Sequence, residues 1–271
     1  MPNYVNEYFM VSIDQYLTYD KPVPYKNFLI NPVCMKDYIS FHECINCALL
    51  DKNSVPDVEV ISMGYLTYII NLGFDFPILI TQLIDLLKMV ISVKVIKEDG
   101  TVVFEKLTDV EDIKLNKNDL TCLLIKGEKM ASEDFDIVKD IVFIQNKIEA
   151  IDESISKEVR DELFKAEQFK QRQNENKIGS LEDQLVAVVM KTGLSFDYLY
   201  GLTIRKFTKI LERADYELHY IIYMNAFYAG NIKMENGKAP KHWLSDLEEK
   251  DKHKNTKLAM DAIRSKLGDK T

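Results

Sequence analysis

The apolar residues before position 90 recur at helical spacing in three segments. Two amphipathic helices are predicted, one over Cys34–Leu50 and one over Ile61–Leu72. A third helix begins at Pro77, because proline suits the first turn of a helix. Its apolar residues surround nearly the whole helix, namely Ile78, Leu79, Leu83, Ile84, Leu86 and Leu87. This pattern predicts that the third helix is the buried one of this half.

The period then changes from helical spacing to alternation. Ser92–Val95 and Val102–Glu105 alternate apolar and polar residues on either side of Asp99-Gly100, a dipeptide that suits a type I′ turn. A hairpin is therefore predicted here. Ile113–Leu115 and Leu120–Ile125 extend the sheet, although the second segment also fits a short helix.

A charged stretch divides the chain near its middle. The helix before it starts at Ser132, a good N-cap, and runs to about Asn146. In the charged stretch Asp152–Asn176 the apolar residues form only a narrow seam. This pattern fits a solvated helix laid against one neighbour, and it also fits a short self-associating coiled coil.

The C-terminal part carries clear signals for where helices begin and end. Ser180-Leu-Glu-Asp183 resembles a capping box, and Gly193 is placed to end the helix that it opens. A short helix over Ser195–Tyr200 follows. Thr203 then caps a long helix whose apolar stripe continues to Gly230.

The first residues, Met1–Val33, are expected to form an arm or an edge segment. Pro22-Val23-Pro24 and Asn31-Pro32 favour extended backbone there. The predicted fold class is α+β and mostly α, with a small antiparallel hairpin sheet. Three regions are predicted: an α+β domain with an extended N-terminal arm at 1–150, a charged helical connector at 151–178, and a helical domain with a polar C-terminal tail at 179–271.

Composition narrows the classes of partner. The 43 acidic residues outnumber the 35 basic ones, the formal net charge is −8, and the two signs are interspersed, which disfavours a nucleic-acid surface. No apolar run reaches the roughly 20 residues of a membrane helix, since charged residues interrupt Pro77–Val95. The amino terminus also lacks the order of a secretory signal. We therefore expect a cytosolic protein or part of an intracellularly assembled particle.

One group of residues has the composition of a metal site: Cys34, His42, Cys44 and Cys47 lie within a short segment. The spacing of Cys44 and Cys47 is that of zinc ligands. However, the pair falls inside a predicted amphipathic helix without a nearby glycine. Small apolar cysteines packed in a helix are therefore favoured over zinc.

A DNA-binding element is the alternative for the second half. The turn Lys191–Ser195 between two helices is similar to a helix-turn-helix, and residues 181–213 would form the element. A basic stripe follows on the next helix, formed by Arg205, Lys206, Lys209 and Arg213. Glu212 and Asp215 dilute that stripe, so DNA binding is the secondary hypothesis. Salt-sensitive binding to duplex DNA would support it.

Catalytic motifs are absent from the sequence. It contains no Gly-rich phosphate loop, Gly-x-Ser-x-Gly, His-Glu-x-x-His or dinucleotide fingerprint. His219 lies among aromatic residues, as packed histidines often do. We therefore expect no enzyme activity, no cofactor and no small-molecule ligand.

Aromatic residues are instead the candidates for partner binding. Those in predicted loops and arms either bind other chains or cover the core of this one. The Trp243 loop is expected to anchor onto the helical domain. The candidate partner-binding residues are Tyr4, Tyr8, Phe9, Tyr16, Tyr19, Tyr25, His242 and Trp243.

Four stretches carry a resemblance to a known group of proteins. They are Ser132–Asn146, Thr192–Ser195, Gly230–Lys233 and His242–Leu244. They resemble stretches in proteins from the structural and tail-assembly modules of bacteriophages that infect low-GC Gram-positive bacteria. The resemblance implies a non-enzymatic role in virion morphogenesis, with other phage structural or tail proteins as partners and self-association as a further expectation. It also implies the host cytoplasm during assembly, or the virion, as the location.

Overall fold

The computed structural model describes residues 7–52, 57–116, 121–151, 179–230 and 242–245, with isolated positions between 159 and 165. The chain divides into two compact units. The first unit comprises Met1–Ser154 and Thr192–Lys209, and the second comprises Ile155–Lys191 and Ile210–Thr271. The predicted connector at 151–178 lies almost entirely outside the described residues. The predicted domain boundaries therefore stay predictions.

Helices dominate the first unit, which confirms the fold class of a mostly α, α+β protein. Its helices are α1 (Glu7–Thr18), α2 (Tyr38–Ile45), α3 (Val58–Ser62), α4 (Tyr65–Asp75), α5 (Pro77–Val90), α6 (Ser132–Asn146) and α8 (Phe196–Gly201). Short 3-10 turns flank α2 at Met35–Asp37 and Asn46–Ala48. Among the described residues, no helix has the length and apolar character that crossing a bilayer requires.

The larger sheet has four antiparallel strands in the order β1-β2-β3-β4. They are β1 (Val23–Tyr25), β2 (Phe28–Ile30), β3 (Ile91–Ile96) and β4 (Val102–Lys106). The expectation of an extended arm is wrong for the described residues. Glu7–Thr18 is a helix, and β2 is an interior strand that pairs Leu29 with Ser92. Burial of Phe28 and Ile30 holds this segment in the core.

The predicted hairpin is confirmed, with a different turn. Gly100 has φ +79°, but Asp99 does not have a positive φ, so the turn is not type I′. The Gly100 N–H donates to Lys97 O at 2.8 Å, and the Lys97 N–H donates to Thr101 O at 2.9 Å. This is a type I turn followed by a glycine bulge, in which only the glycine needs the left-handed conformation.

The second sheet is separate from the first and has three antiparallel strands in the order β5-β6-β7. These strands are β5 (Ile113–Leu115), β6 (Cys122–Ile125) and β7 (Glu128–Ala131). The segment that also fitted a short helix is therefore a strand. The expectation that these segments extend the hairpin sheet is wrong.

The central helix of the first unit is α6 rather than α5. Eleven of the fifteen residues of α6 are buried, whereas four of the fourteen in α5 are. The prediction that α5 is buried nearly all round is therefore wrong, because Ile78 and the residues around it face solvent. The described residues 196–209 join this unit through backbone pairing between Cys34 and Thr203.

Two long helices, α7 (Leu181–Thr192) and α9 (Ile204–Tyr228), supply the described helices of the second unit. Thr192 and the first turns of α9, up to Lys209, belong to the first unit. The capping box is confirmed, since the Asp183 N–H donates to Ser180 Oγ and the Ser180 N–H donates to the Asp183 carboxylate. Gly193 and Gly230 follow these helices with positive φ, as predicted.

Candidate protein-interaction surfaces

The predicted aromatic residues near the amino terminus occupy different environments. Tyr4 lies outside the described residues, and so do the side chains of Tyr8 and Phe9, although their backbone belongs to α1. Tyr16 is half-buried, and Tyr19 is 69% exposed. Of these five side chains, Tyr19 is the one that the described structure leaves available to a partner.

Tyr25 has an internal role as well. Its hydroxyl donates to Asp134 Oδ1 at 2.8 Å, and Lys26 Nζ donates to the same oxygen. Burial raises the pKa of Tyr25, and the neighbouring Asp134 carboxylate raises it further. Burial also raises the pKa of Asp134, but the hydrogen bonds from Lys26 and Tyr25 outweigh it, and the pKa stays below its ordinary value. These contacts tie β1 to the first turn of α6.

Replacing Asp134 with Asn will lower the free energy of unfolding at pH 7 by roughly 1 kcal/mol, since Asn keeps an acceptor but loses the charge. The value is modest because the Lys26 side chain is 58% exposed. The folded pKa of Asp134 lies below its unfolded value, so the stabilisation is complete above about pH 4 and is lost as the pH falls through the folded pKa. Urea unfolding of both proteins at pH 7 and below pH 4 checks this. A gap of equal size at both pH values would contradict it.

A second polar cluster lies beneath α6 and supports the N-terminus of α4. The Tyr65 N–H donates to Asp136 Oδ1 at 3.0 Å, and the Thr67 hydroxyl donates to Ser132 Oγ at 3.2 Å. Ser132 is therefore not the N-cap of its own helix, as predicted, because Ala131 occupies that position. Asp136 and Ser132 stand in for the side-chain cap that Gly64 cannot supply to α4.

Two lysines complete the cluster. Lys139 Nζ lies 3.2 Å and Lys52 Nζ 4.5 Å from the centroid of the Tyr65 ring. Lys52 is buried and donates to Met63 O at 2.8 Å, close to the end of α3. Burial raises the pKa of Asp136, although the Tyr65 amide and the two lysines oppose it. Every described contact of this cluster holds a helix end or packs on an aromatic ring, which is structural chemistry.

The cysteine and histidine group has the surroundings of packed side chains. Cys44 and Cys47 are buried, and burial raises the pKa of Cys47 to about 12 and that of Cys44 above its ordinary value. Zinc binds the thiolate, which these shifts disfavour. The His42 ring contacts the Tyr38 ring at a centroid distance of 4.5 Å. Within the described ranges, no group of three His, Cys, Asp or Glu is arranged to hold a metal ion.

The basic stripe of the DNA-binding alternative is engaged in protein contacts. Arg205 Nη1 donates to Ile144 O at 2.9 Å, and Lys206 forms an ion pair with Asp20 at 2.7 Å. The guanidinium of Arg213 donates to the backbone of the His242–Ser245 loop (see below). These contacts occupy the groups that phosphate contacts would need.

The His242–Trp243 loop is anchored in the second unit, as expected, although the main anchors are other residues. Arg213 Nη1 donates to Trp243 O at 2.6 Å and to Ser245 O at 2.8 Å. The His242 ring meets the Tyr220 ring at 5.2 Å, edge to face. His242 stays exposed and Trp243 is half-exposed, so both remain available to a partner.

The largest exposed apolar group that sequence reasoning missed lies at the corner between α4 and α5. All five residues 74–78 are exposed, and Phe74, Phe76 and Ile78 expose 69%, 58% and 62% of their surface. We call Phe74, Phe76, Ile78 and the neighbouring Ile39 the apolar corner. A signal existed in the sequence. Pro77 starts a new helix immediately after two phenylalanines, and residues at such a corner cannot all point into the core.

Ile39 joins this surface because α2 and α5 run side by side in the same direction. Gln82 Nε2 donates to Glu43 O at 3.0 Å, and further along both helices Ala48 and Val90 line one small apolar cavity. Ile39 and Ile78 each precede the first contact by four residues, one helical turn. They therefore lie at the same end of the helix pair, and Ile39 is 66% exposed. Isolated exposed hydrophobic residues are ordinary, but a group of four of this size is typical of a protein-binding surface.

A second apolar surface follows α9. Ile204 and Phe207 are buried, but no residue of the helix after Phe207 is. The apolar stripe continues to the C-terminal half as predicted, where four large side chains are exposed, namely Leu218, Ile221, Ile222 and Tyr228. Within its unit this helix is tied to α7 by an ion pair between Lys191 and Glu217 at 3.0 Å.

The comparisons with known proteins bear on this second part of the chain. A family model described as the YomV second domain matches residues 170–248, less than a third of the chain. YomV is the name of a phage-derived Bacillus protein. This similarity indicates a phage-related protein. The expected resemblance to phage proteins is thereby supported at that level.

The matched segment contains α7, α8, α9 and the His242–Ser245 loop. It therefore includes the exposed stripe of α9 and the contacts of Arg213. Comparison with the curated proteins and with the solved structures finds no match. The apolar corner lies outside the matched residues.

Proposed function

We propose that this protein is a non-enzymatic component or assembly factor of a bacteriophage particle that acts through protein–protein contacts. Its partners are other structural or tail proteins of the same phage. The family similarity supports the phage context, and the described surfaces support the mode of action. A role in the tail module rests on the resemblance of the four stretches given above.

The apolar corner is the observation that carries the proposal. Phe74, Phe76 and Ile78 follow one another closely at a helix corner that packing with Ile39 and α2 fixes in place. Large side chains on a rigid corner lose little conformational entropy when a partner covers them. Aromatic residues of this kind are enriched at the centres of interfaces. A partner with an apolar groove is the complementary surface.

The exposed stripe of α9 gives the same interpretation for the second unit. Leu218, Ile221 and Ile222 recur at the spacing with which an amphipathic helix binds a hydrophobic groove. DNA binding is less well supported, because Arg205, Lys206 and Arg213 donate to protein oxygens. Two surfaces on one chain suit a protein that joins two others, as assembly proteins do.

The apolar corner can be tested without weakening the fold. Phe74→Gln, Phe76→Ser and Ile78→Glu together remove the apolar side chains while keeping good helix signals, since Ser suits the N-cap and Glu the first turn. In a phage that encodes this chain, we expect the triple variant to lower the infectious titre at least about tenfold, which corresponds to about 1.4 kcal/mol of lost binding.

A matched control removes three exposed apolar residues elsewhere in the first unit, with Val58→Thr, Val110→Thr and Leu115→Thr. We expect this control to leave the titre unchanged. Circular dichroism and cellular protein level confirm that both variants fold. An unchanged titre with the corner variant would show that the apolar corner does not carry the function.

A further inference from the structure

The four-stranded sheet has two edges, and they differ in how they are protected. The strand β1 forms one edge, is three residues long and has Pro24 at its centre. Proline has no N–H to donate, so this edge resists pairing with another strand. The strand β4 forms the other edge, is five residues long and contains no proline. Only β4 can therefore accept a further strand along its full length.

The outward direction of the β4 backbone follows from the ladder. The Lys94 N–H donates to Asn27 O on the β2 side, so Lys94 and its partner Phe104 form a pair that exchanges no hydrogen bonds. By alternation, the N–H and C=O groups of Val102, Phe104 and Lys106 all point away from β3. The described contacts include no backbone partner for these groups.

Apolar side chains accompany this open edge. Ile96 lies opposite Val102, and both share one face of the sheet with Phe104. These three residues are 67%, 49% and 42% exposed. Exposed edge strands of monomeric proteins usually carry inward charges, prolines or bulges along their length. In β4 the charged residues, Glu105 and Lys106, are confined to its end.

We propose that β4 pairs in antiparallel fashion with β4 of a second copy of this chain. The charges select the register. Centring the twofold axis on Glu105 or Lys106 would place like charges opposite each other, which is destabilising. Centring it on Phe104 places Val102 opposite Lys106, Val103 opposite Glu105 and Phe104 opposite its own copy. All five residues are then paired, with about six backbone hydrogen bonds between the copies.

The same sheet limits the assembly to two copies. Pairing across a twofold axis uses one edge of each sheet, and Pro24 blocks the other edge. The product is one continuous sheet with four strands from each copy. The Phe104 rings form an aromatic cross-strand pair at its centre. This inference goes beyond the proposed function and does not depend on it.

Light scattering on the purified full-length protein tests the pairing. We expect a mass of twice 31.4 kDa for the wild type. Phe104→Lys and Phe104→Glu should each give the mass of a single chain, because like charges then meet at the twofold axis. An equimolar mixture of these two variants should recover the doubled mass, since Lys now faces Glu.

Val110→Lys is the matched control, because it makes the same kind of change at an exposed residue outside β4. It should keep the doubled mass, and circular dichroism should show that all variants fold. A wild-type mass of 31.4 kDa up to the solubility limit would overturn the pairing, as would a doubled mass for folded Phe104→Lys. A mixture that stays monomeric would overturn the register centred on Phe104. These measurements need no phage partner, so their failure leaves the proposed function standing.

Discussion

Replacing Gly64 with alanine will lower the free energy of unfolding by roughly 2–4 kcal/mol, from overpacking together with a weakened hydrogen bond. A Cβ at this position would lie 2.2 Å from Ser132 Oγ and 3.0 Å from Ser132 Cβ. Ser132 is buried in the first turn of α6, and its hydroxyl accepts from Thr67, so it cannot move aside freely. The backbone at Gly64 has φ −64°, which alanine adopts readily. The loss therefore comes from the contact alone.

Gly201→Ala is the control for this substitution. A Cβ there meets nothing within 4 Å, and the backbone does not need a positive φ. We expect Gly201→Ala to change the free energy of unfolding by about 1 kcal/mol or less, in the stabilising direction. Urea unfolding of both variants measures the difference. Equal stabilities for the two variants would contradict the close packing of α4 on α6.

Replacing Asp136 with alanine will cost roughly 2–3 kcal/mol, because it leaves the buried Tyr65 N–H without its acceptor. It also removes the carboxylate that faces Lys52 and Lys139. Asp136→Asn keeps an oxygen in the acceptor position and should cost about 1 kcal/mol or less at pH 7. The order of stability is therefore wild type, Asn and then Ala, as measured by urea unfolding.

The pH dependence of Asp136 separates its charge from its hydrogen bond. Burial raises the folded pKa of Asp136 above the ordinary value of 3.8. The folded state therefore holds this proton more tightly, and its stabilising effect is complete below the ordinary pKa and is lost as the pH rises through the folded pKa. Asp136→Asn cannot titrate, so its disadvantage against wild type should shrink as the pH rises from about 3 to 7. A disadvantage that grows over this range would contradict the buried position of the carboxylate.

Local signals in the sequence predicted the boundaries of most elements. Pro77 starts α5, and the Ser180–Asp183 box opens α7. Thr203 Oγ1 accepts from the Lys206 N–H at the start of α9. In each of these cases the deciding contacts join residues within one helical turn, so the sequence contains the whole interaction.

The features that could not be predicted depend on contacts between distant segments. The segment with Pro22 and Pro24 resembles a free arm, yet it becomes β1 and β2 because Leu29 pairs with Ser92, far along the chain. Likewise the cap that Asp136 supplies to Tyr65 joins two helices. An amphipathic pattern states which residues favour burial but not which neighbour covers them.

The candidate surfaces show the same limit. Tyr25 was predicted to bind a partner, but its hydroxyl also binds Asp134 across the fold. Phe74 and Phe76 could not be separated from core residues by periodicity, because apolar residues also surround them in the sequence. Exposure depends on what packs nearby, which is a property of the folded chain. The stripe of α9 was correctly identified as apolar, while its exposure was not foreseen.

Counting complete particles by electron microscopy, with and without this chain, tests the central claim most directly. The gene is deleted from a phage that encodes it, and the protein is supplied again from a plasmid. We expect incomplete particles to accumulate after the deletion and complete particles to return with the wild-type protein. The same number of complete, infectious particles in its absence would contradict a role in particle assembly.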